Sequence, residues 1–253
     1  SLRYKYVKNS RIMKVVGYMP LHYGTEYLKE SLEAVLPVVE KFFIIYSDQP
    51  SHGHGNNHGL PETEQQLKEI AFGVEGKEKI VWVNQHFHHE GEQRNYIYKF
   101  TGGYDMLVTC DSDEVFSTEE LSSALRECRM REEREFGIDG YVNFWRSFNE
   151  VCYDGFRPVR IINLNNHVGT RGEVKCTIYH FGCAQKESIM RYKYKVHGHA
   201  DEIRPNWLDE VYYGDTKEDL HCVSIGLWNS VPYDKNLLPE ALKNHPNFNK
   251  IRI

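Results

Sequence analysis

Strand-like apolar runs alternate with helix-period segments four times before residue 117, and no other feature restricts the fold as much. "MKVVGYMPL" is rich in β-branched residues and stops at Gly17 and Pro20. "GTEYLKESLEAVLPVVEKF" then carries apolar residues at helical spacing, with Thr25 as the expected cap and Pro37 as an interruption. "FFIIYSD" is a second run, ending on Asp48, and "PETEQQLKEIAFGV" a polar helix. "KIVWVNQ", the helix "EQRNYIYKFTGG" and the run "YDMLVTCDSDE" complete the series. This alternation predicts βα units and a mostly parallel sheet. In such sheets ligands bind outside the carboxyl ends of the strands. Asp48, the residues after Gln85, and Asp111 to Glu114 should therefore share one rim.

The second half changes character. "STEELSSALRECRMREEREFG" reads as a charged amphipathic helix, and the strands "GYVNFWRSF", "RPVRIINLN" and "EVKCTIYHFG" follow without a helix between them. Antiparallel pairing is the expectation for all three. "KESIMRYKYKVHG" reads as a further helix. From Asn229 the tail has three prolines and little periodicity, and is expected to wrap the surface. One domain over 1–253 is predicted, with one lobe over 12–116 and a second over 117–253.

Composition narrows the function classes. The chain has 253 residues, 40% apolar and 26% charged, as soluble globular proteins do. A formal net charge of −5 gives no overall attraction to nucleic acid or anionic membrane, so a nucleic-acid partner is disfavoured though a local basic groove leaves it open. The six cysteines include no CxxC pair and read as reduced, buried thiols of an intracellular protein. The basic, aromatic start "SLRYKYVKNSRIMK" lacks the apolar core of a secretory signal. No apolar run approaches the roughly 20 residues that span a bilayer. The expected location is the cytoplasm, with attachment at the inner membrane surface as the one membrane role left open.

"LVTCDSDEVF", residues 107 to 116, drives an apolar ramp into Asp111, Asp113 and Glu114. Carboxylates this close repel unless something positive lies between them. A hard divalent cation, Mn²⁺ or Mg²⁺, is the usual answer, held by one or two carboxylates and substrate phosphates. The plain alternative is a solvated turn capping the helix from Ser117.

The same stretch resembles the DXD motif of GT-A glycosyltransferases. "HHEGEQRNYIYKFTGGYDMLVTCDSDEVF" is similar to the family-2-type pattern, and "RPVRIINL" with "YHFGCAQKESIMRYKYKVHGHADE" to the later half of small bacterial and phage members. The resemblance covers roughly residues 12 to 210. It implies a GT-A, Rossmann-like mixed α/β sheet with flanking helices and an antiparallel second lobe. It also implies metal-dependent transfer of a sugar, a hexose or pentose, from a nucleotide-sugar, with a UDP-sugar as the expected donor. The acceptor would be a hydroxyl of a glycan or other molecule.

By that resemblance Asp113 coordinates the metal, and Asp111 reaches the metal or the donor ribose with Ser112 between them. Asp48 contacts the base or ribose, Arg94 lies near the diphosphate, and Tyr18 and Pro20 flank the base. A salt bridge from Arg94 to Glu90 or Glu92 is the structural alternative for that residue. The third metal ligand is expected at His180, with His197 and His199 as competitors. A general base for inverting transfer is expected at Glu202 or Asp201, with Glu150, Asp154 and Glu173 also eligible. Trp145, Phe148, Tyr153 and Trp207 are candidates to stack on an acceptor, core packing being the alternative for each.

Three rivals share these residues. D-x-D-x-V after an apolar run also resembles the first motif of haloacid-dehalogenase-type phosphatases, with Asp111 as nucleophile and "GDTKED" (Gly214 to Asp219) as metal motif. "WLDEVYY" before Gly214 is a poor buried strand, which weighs against it. "HGHGNNHG" (His52, His54, His58) and "HFHH" (His86, His88, His89) raise zinc binding, but neither has a carboxylate or cysteine at zinc-site spacing. An inactive nucleotide- or glycan-binding module is the non-enzymatic reading.

Overall fold

The computed structural model describes residues 12–49, 58–153, 155–196 and 200–253. The first half follows the alternation. Strands β1 (Val15–Leu21), β2 (Lys41–Tyr46), β3 (Ile80–Asn84) and β4 (Met106–Thr109) are all parallel, in the order β3-β2-β1-β4. Helices α1 (Leu28–Val35), α2 (Glu64–Ala71) and α3 (Glu90–Tyr96) fill the crossovers. Parallel strands are buried on both faces, and β1 accordingly divides its side chains by parity. Val15, Met19 and Leu21 join the core under α1 and α2, while Val16 and Tyr18 join the core under α3. Gly17 leaves room for the ring of Phe42, its register partner on β2, which a Cβ would overlap. Pro20 is tolerated because β4 pairs with β1 only as far as Tyr18, so no ladder bond is lost beyond it.

Local chemistry sets the helix ends. Thr63 caps α2 in a reciprocal box with Gln66. Thr25 does not cap α1, whose N-cap is Tyr27. The Thr25 hydroxyl and amide instead bond Glu62. Pro37 opens a single 3-10 turn, Leu36–Val38, after α1.

The second half departs further from expectation. β5 (Glu114–Phe116) resumes the chain immediately beyond the acidic turn, and α4 (Thr118–Met130) follows. β6 (Glu135–Trp145), β7 (Glu150–Cys152), β8 (Val159–Asn163), β9 (Arg171–Cys183) and β10 (Ser230–Pro232) complete a ten-stranded sheet. β8 lies antiparallel between β4 and β6, as expected. β9 does not: it runs parallel to β6 and antiparallel to β5. β8 runs opposite to β6 on one side of it, and the chain reverses again to place β9 on the other side in the sense of β6. α5 (Glu187–Val196) and α6 (Glu240–Lys243) follow.

The tail is more than a surface wrap. Leu238 and Leu242 are buried, and the His245 ring stacks on Tyr27 at 4.7 Å. All six cysteines are free, five buried and Cys183 partly so. No helix among the described residues is long and apolar enough to cross a membrane.

Candidate functional site

β4 ends at Thr109 and the backbone turns through Cys110 to Asp113 before β5 begins. β5 pairs Glu114 with His180 of β9, and β9 pairs His180 with Asn143 of β6. The acidic turn therefore faces Tyr141, Asn143 and His180, while α3 brings Arg94 from the parallel half. Gln93 sets that helix: its amide donates to the Leu21 and Ile45 carbonyls, and its own carbonyl accepts from the Tyr18 hydroxyl. The Leu21 carbonyl, at the end of β1, also accepts from the Ser47 amide at 3.0 Å, so Gln93 ties α3 to the ends of β1 and β2.

The floor of the site is a closed ion network. Glu114 is fully buried. Arg160 of β8 grips it with both arms, Nε to Oε2 at 2.7 Å and Nη2 to Oε1 at 2.5 Å. Tyr141 donates its hydroxyl to Oε1 at 2.8 Å, and the Asp111 amide donates to Oε2 at 3.2 Å. Arg160 also reaches Asp111 Oδ2 at 2.8 Å, and Arg94 reaches Oδ1 at 3.4 Å. Burial alone would raise the Asp111 carboxyl; the two guanidiniums instead hold it down at about 2. Arg94 also pairs with Glu90 at 2.6 Å, the ion pair expected as its structural alternative.

The mouth is looser. Asp113 Oδ2 accepts from Gln185 Nε2 at 3.0 Å and lies 3.7 Å from Lys193 Nζ. Asp113 Oδ1 lies 3.8 Å from His180 Nε2. The other imidazole nitrogen, Nδ1, bonds Asn143 Oδ1, an acceptor-only oxygen, so Nδ1 carries the proton and Nε2 presents its lone pair. Burial lowers the His180 pKa, which keeps the ring neutral. Its ring stacks on Tyr141 at 4.9 Å. A Cβ on Gly182 would overlap the imidazole, so glycine is needed there.

The donor atoms of Asp113 and His180 are spaced to share one cation, and a neutral histidine fixed through its second nitrogen is the usual form of a metal ligand. Two protein donors suit a hard cation that takes its remaining oxygens from substrate and water. Asp111, expected beside them, turns both oxygens to arginines. Among the described residues no three histidine, cysteine or carboxylate side chains converge as metal ligands would.

The loop after β1 presses on the turn from above. Ser112 donates to the Tyr23 carbonyl at 3.2 Å, and Gly24, with φ of +124°, sits where a Cβ would overlap Ser112 Oγ. Glu62, 3% exposed, clamps this loop by accepting from the Gly24 and Thr25 amides at 2.7 and 2.9 Å and from Lys186 at 2.6 Å. His22 bridges the Ser47 carbonyl and the Tyr192 hydroxyl at 2.8 and 2.7 Å.

Several expected residues lie elsewhere. Tyr18 is 2% exposed with its hydroxyl held by Gln93, so its ring has no free face for a base. Pro20 is half-buried and Asp48 exposed at the end of β2. Trp145, Phe148 and Trp207 are core residues at 0–1% exposure, which removes them as acceptor platforms; Tyr153 is 60% exposed. Asp201 and Glu202 are both exposed, in the turn Ala200–Glu202. Glu150 pairs with Lys217, and Glu173 with Arg157. His52, His54, Asp154, His197 and His199 lie outside the described residues. His89 caps α3, and His86 packs edge-on against His88. Leu208–Tyr212, ahead of "GDTKED", is a π-helix rather than a strand, and Asp219 is tied to Arg204. The phosphatase motif thus lacks its supporting strand.

Arg160, Gln185 and Lys193 were not singled out in the sequence, and Glu114 was named in the acidic run without a role of its own. Arg160 had a signal: an arginine inside a buried strand needs a carboxylate partner. Lys193 lies on the stripe of α5 that buries Ile189 and Val196. A cleft of about 670 Å³, lined by Thr25, Glu30, Ile70 and His245 among others, includes no residue of the acidic turn.

No family model and no curated protein matches the chain. Solved structures do. S. aureus TarS 1-349 is 18% identical with a TM-score of 0.37, over 60% of this chain and 47% of that one, so the match spans less than half of it. A 4-diphosphocytidyl-2C-methyl-D-erythritol synthase from Anaerococcus prevotii is 11% identical over 71% of this chain and 96% of that one, at 0.43. UTP-bound UGPase from Acinetobacter baumannii is 12% identical over 75% and 97%, at 0.40. None reaches a TM-score of 0.5, so the functional reading rests on the side chains above.

Proposed function

We propose that this chain is a glycosyltransferase that moves a sugar from a nucleotide-sugar to an acceptor hydroxyl, with Mn²⁺ or Mg²⁺. The observation that carries the reading is the Asp113–His180 pair, 3.8 Å apart on the rim where parallel strands end, beside the arginine-lined floor. Asp113 and His180 would hold the cation, which when bound would supply Lewis-acid stabilisation of the departing diphosphate.

The chain's own residues do the rest. Arg160 and Glu114 fix Asp111, and Asp111 in turn holds the Arg94 guanidinium toward the rim, where its planar fork suits phosphate oxygens. Asp111 faces the donor ribose more readily than the metal, since both its oxygens are already held by guanidiniums. Ser112 and the loop from His22 to Thr25 border the nucleotide, with Pro20 and Asp48 at its base end. Glu202, with Asp201 beside it, is the proposed base for the acceptor hydroxyl, and exposed Tyr153 the proposed acceptor platform.

The test is a thermal-shift series with UDP-, GDP-, CMP- and dTDP-linked sugars, each with Mn²⁺, Mg²⁺ or EDTA. A ligand that binds only the folded state raises the midpoint by mass action. Stabilisation by one nucleotide only when metal is present is the expected result. Stabilisation by vanadate with Mg²⁺ and by no nucleotide-sugar would replace this reading with the phosphatase one.

A further inference from the structure

Lys193 has no part in the mechanism above, yet among the described residues it is the cation beside Asp113 Oδ2. It projects from the buried stripe of α5, its side chain 19% exposed. Its ammonium donates to the Gly182 carbonyl at 2.9 Å and stands 3.7 Å from Asp113 Oδ2. Tyr23, Cys183 and Asp111 are the other ionisable groups that act on it. A buried ammonium needs such partners to remain charged.

Each carboxylate of the acidic turn has a cation beside it without a metal, Arg94 being shared with Glu90. Arg94 and Arg160 answer Asp111 and Glu114, and Lys193 answers Asp113. A donor diphosphate adds two negative charges that nothing here balances. A divalent cation shared by Asp113 Oδ1 and His180 would balance them, but the other oxygen of the same carboxylate, Oδ2, already faces an ammonium. An ion at about 2.1 Å from Asp113 would repel an ammonium that stands 3.7 Å from the same carboxylate. The flexible four-carbon stem of lysine lets that ammonium swing away.

We infer that Lys193 is the resident counter-ion of Asp113, displaced by the incoming divalent cation and then paired with the donor diphosphate. The first step is a property of the empty protein, and only the second rests on the glycosyltransferase reading. Lys193 thus disfavours metal binding without donor and favours the two together.

The test uses Mn²⁺ alone, followed by electron paramagnetic resonance of the free ion, and then pyrophosphate at saturating Mn²⁺. Lys193→Met and Lys193→Gln should each bind Mn²⁺ about 10-fold more tightly than wild type, a change of about 1.4 kcal/mol. Both should bind pyrophosphate about 10-fold more weakly. Lys193→Arg, which keeps the charge, should stay near wild type in both. Lys193→Gln keeps a donor for the Gly182 carbonyl, so it serves if the methionine variant does not fold. Mn²⁺ affinity that is unchanged or weaker in the neutral variants, or absent from every form, overturns the counter-ion role. Tighter Mn²⁺ with unchanged pyrophosphate affinity overturns the diphosphate step alone. Tighter Mn²⁺ in a protein that consumes no nucleotide-sugar keeps the counter-ion role and removes the transferase reading.

Discussion

Asp111 and Asp113 are two residues apart, yet the floor and the mouth of the site treat them in opposite ways. The floor holds Asp111 and buried Glu114 against two guanidiniums with bonds of 2.5 to 2.8 Å from Arg160. The mouth leaves Asp113 with an amide at 3.0 Å and with an ammonium and an imidazole beyond 3.5 Å. Closed networks of this kind rigidify a site, and an acid held loosely can exchange its partners. The difference teaches that one spacing can hold two kinds of acid: Asp111 is built into the scaffold, and Asp113 is left with loose partners.

The largest effect that would break this comparison is on stability. Arg160→Met strands a fully buried carboxylate and should cost about 3–5 kcal/mol, read by denaturant unfolding. A loss near that of an ordinary surface substitution would show that the floor is not a closed network. Asp113→Asn should be the mirror image. Transfer should fall by about 10²–10³-fold, the loss typical of one electrostatic contact to the transition state. Unfolding free energy should move by no more than about 1 kcal/mol. Equal stability losses in the two variants would erase the distinction.

Asn143→Ala sharpens the mouth side. Without its acceptor the His180 ring can turn or change tautomer, so Mn²⁺ affinity should drop by about 10-fold or more. Unchanged affinity would remove His180 from the ligand set. The smallest effect is acid sensitivity of the floor. The Asp111 carboxyl is depressed in the folded state from 3.8 to about 2, so its contribution is complete above its unfolded value. That contribution is lost as pH falls through the folded value, giving a window between about pH 4 and 2. Asp111→Asn should flatten the stability–pH curve there, and an unchanged slope would assign the acid transition to other groups.

The first half was legible because its signals are local. β1, β2 and β3 are each followed by their own helix, and Asp48 and Asp111 to Asp113 lie just past the ends of β2 and β4 as read. The pairing of β9 was not legible. The absence of a helix suggested antiparallel neighbours, and that holds for β6 with β8. Nothing local tells that β9 crosses to the far side of β6 and bridges to β5. The site divides in the same way. Asp113 and His180 could be singled out by type and position, whereas Arg160 and Lys193 gain their meaning only from partners 49 and 80 residues away, across the sheet. The stacking candidates failed for a related reason. An aromatic residue looks alike in sequence whether it faces a ligand or, like Trp145 against Trp207 and Tyr212, another ring of the core.

The most direct test of the central claim is turnover. Release of nucleotide from UDP-, GDP-, CMP- and dTDP-linked sugars should be followed for wild type with Mn²⁺, wild type with EDTA, and Asp113→Asn with Mn²⁺. Release from one donor by wild type with Mn²⁺, lost in the other two arms, is the predicted result. Release that survives both EDTA and the substitution, or none from any donor, would contradict it.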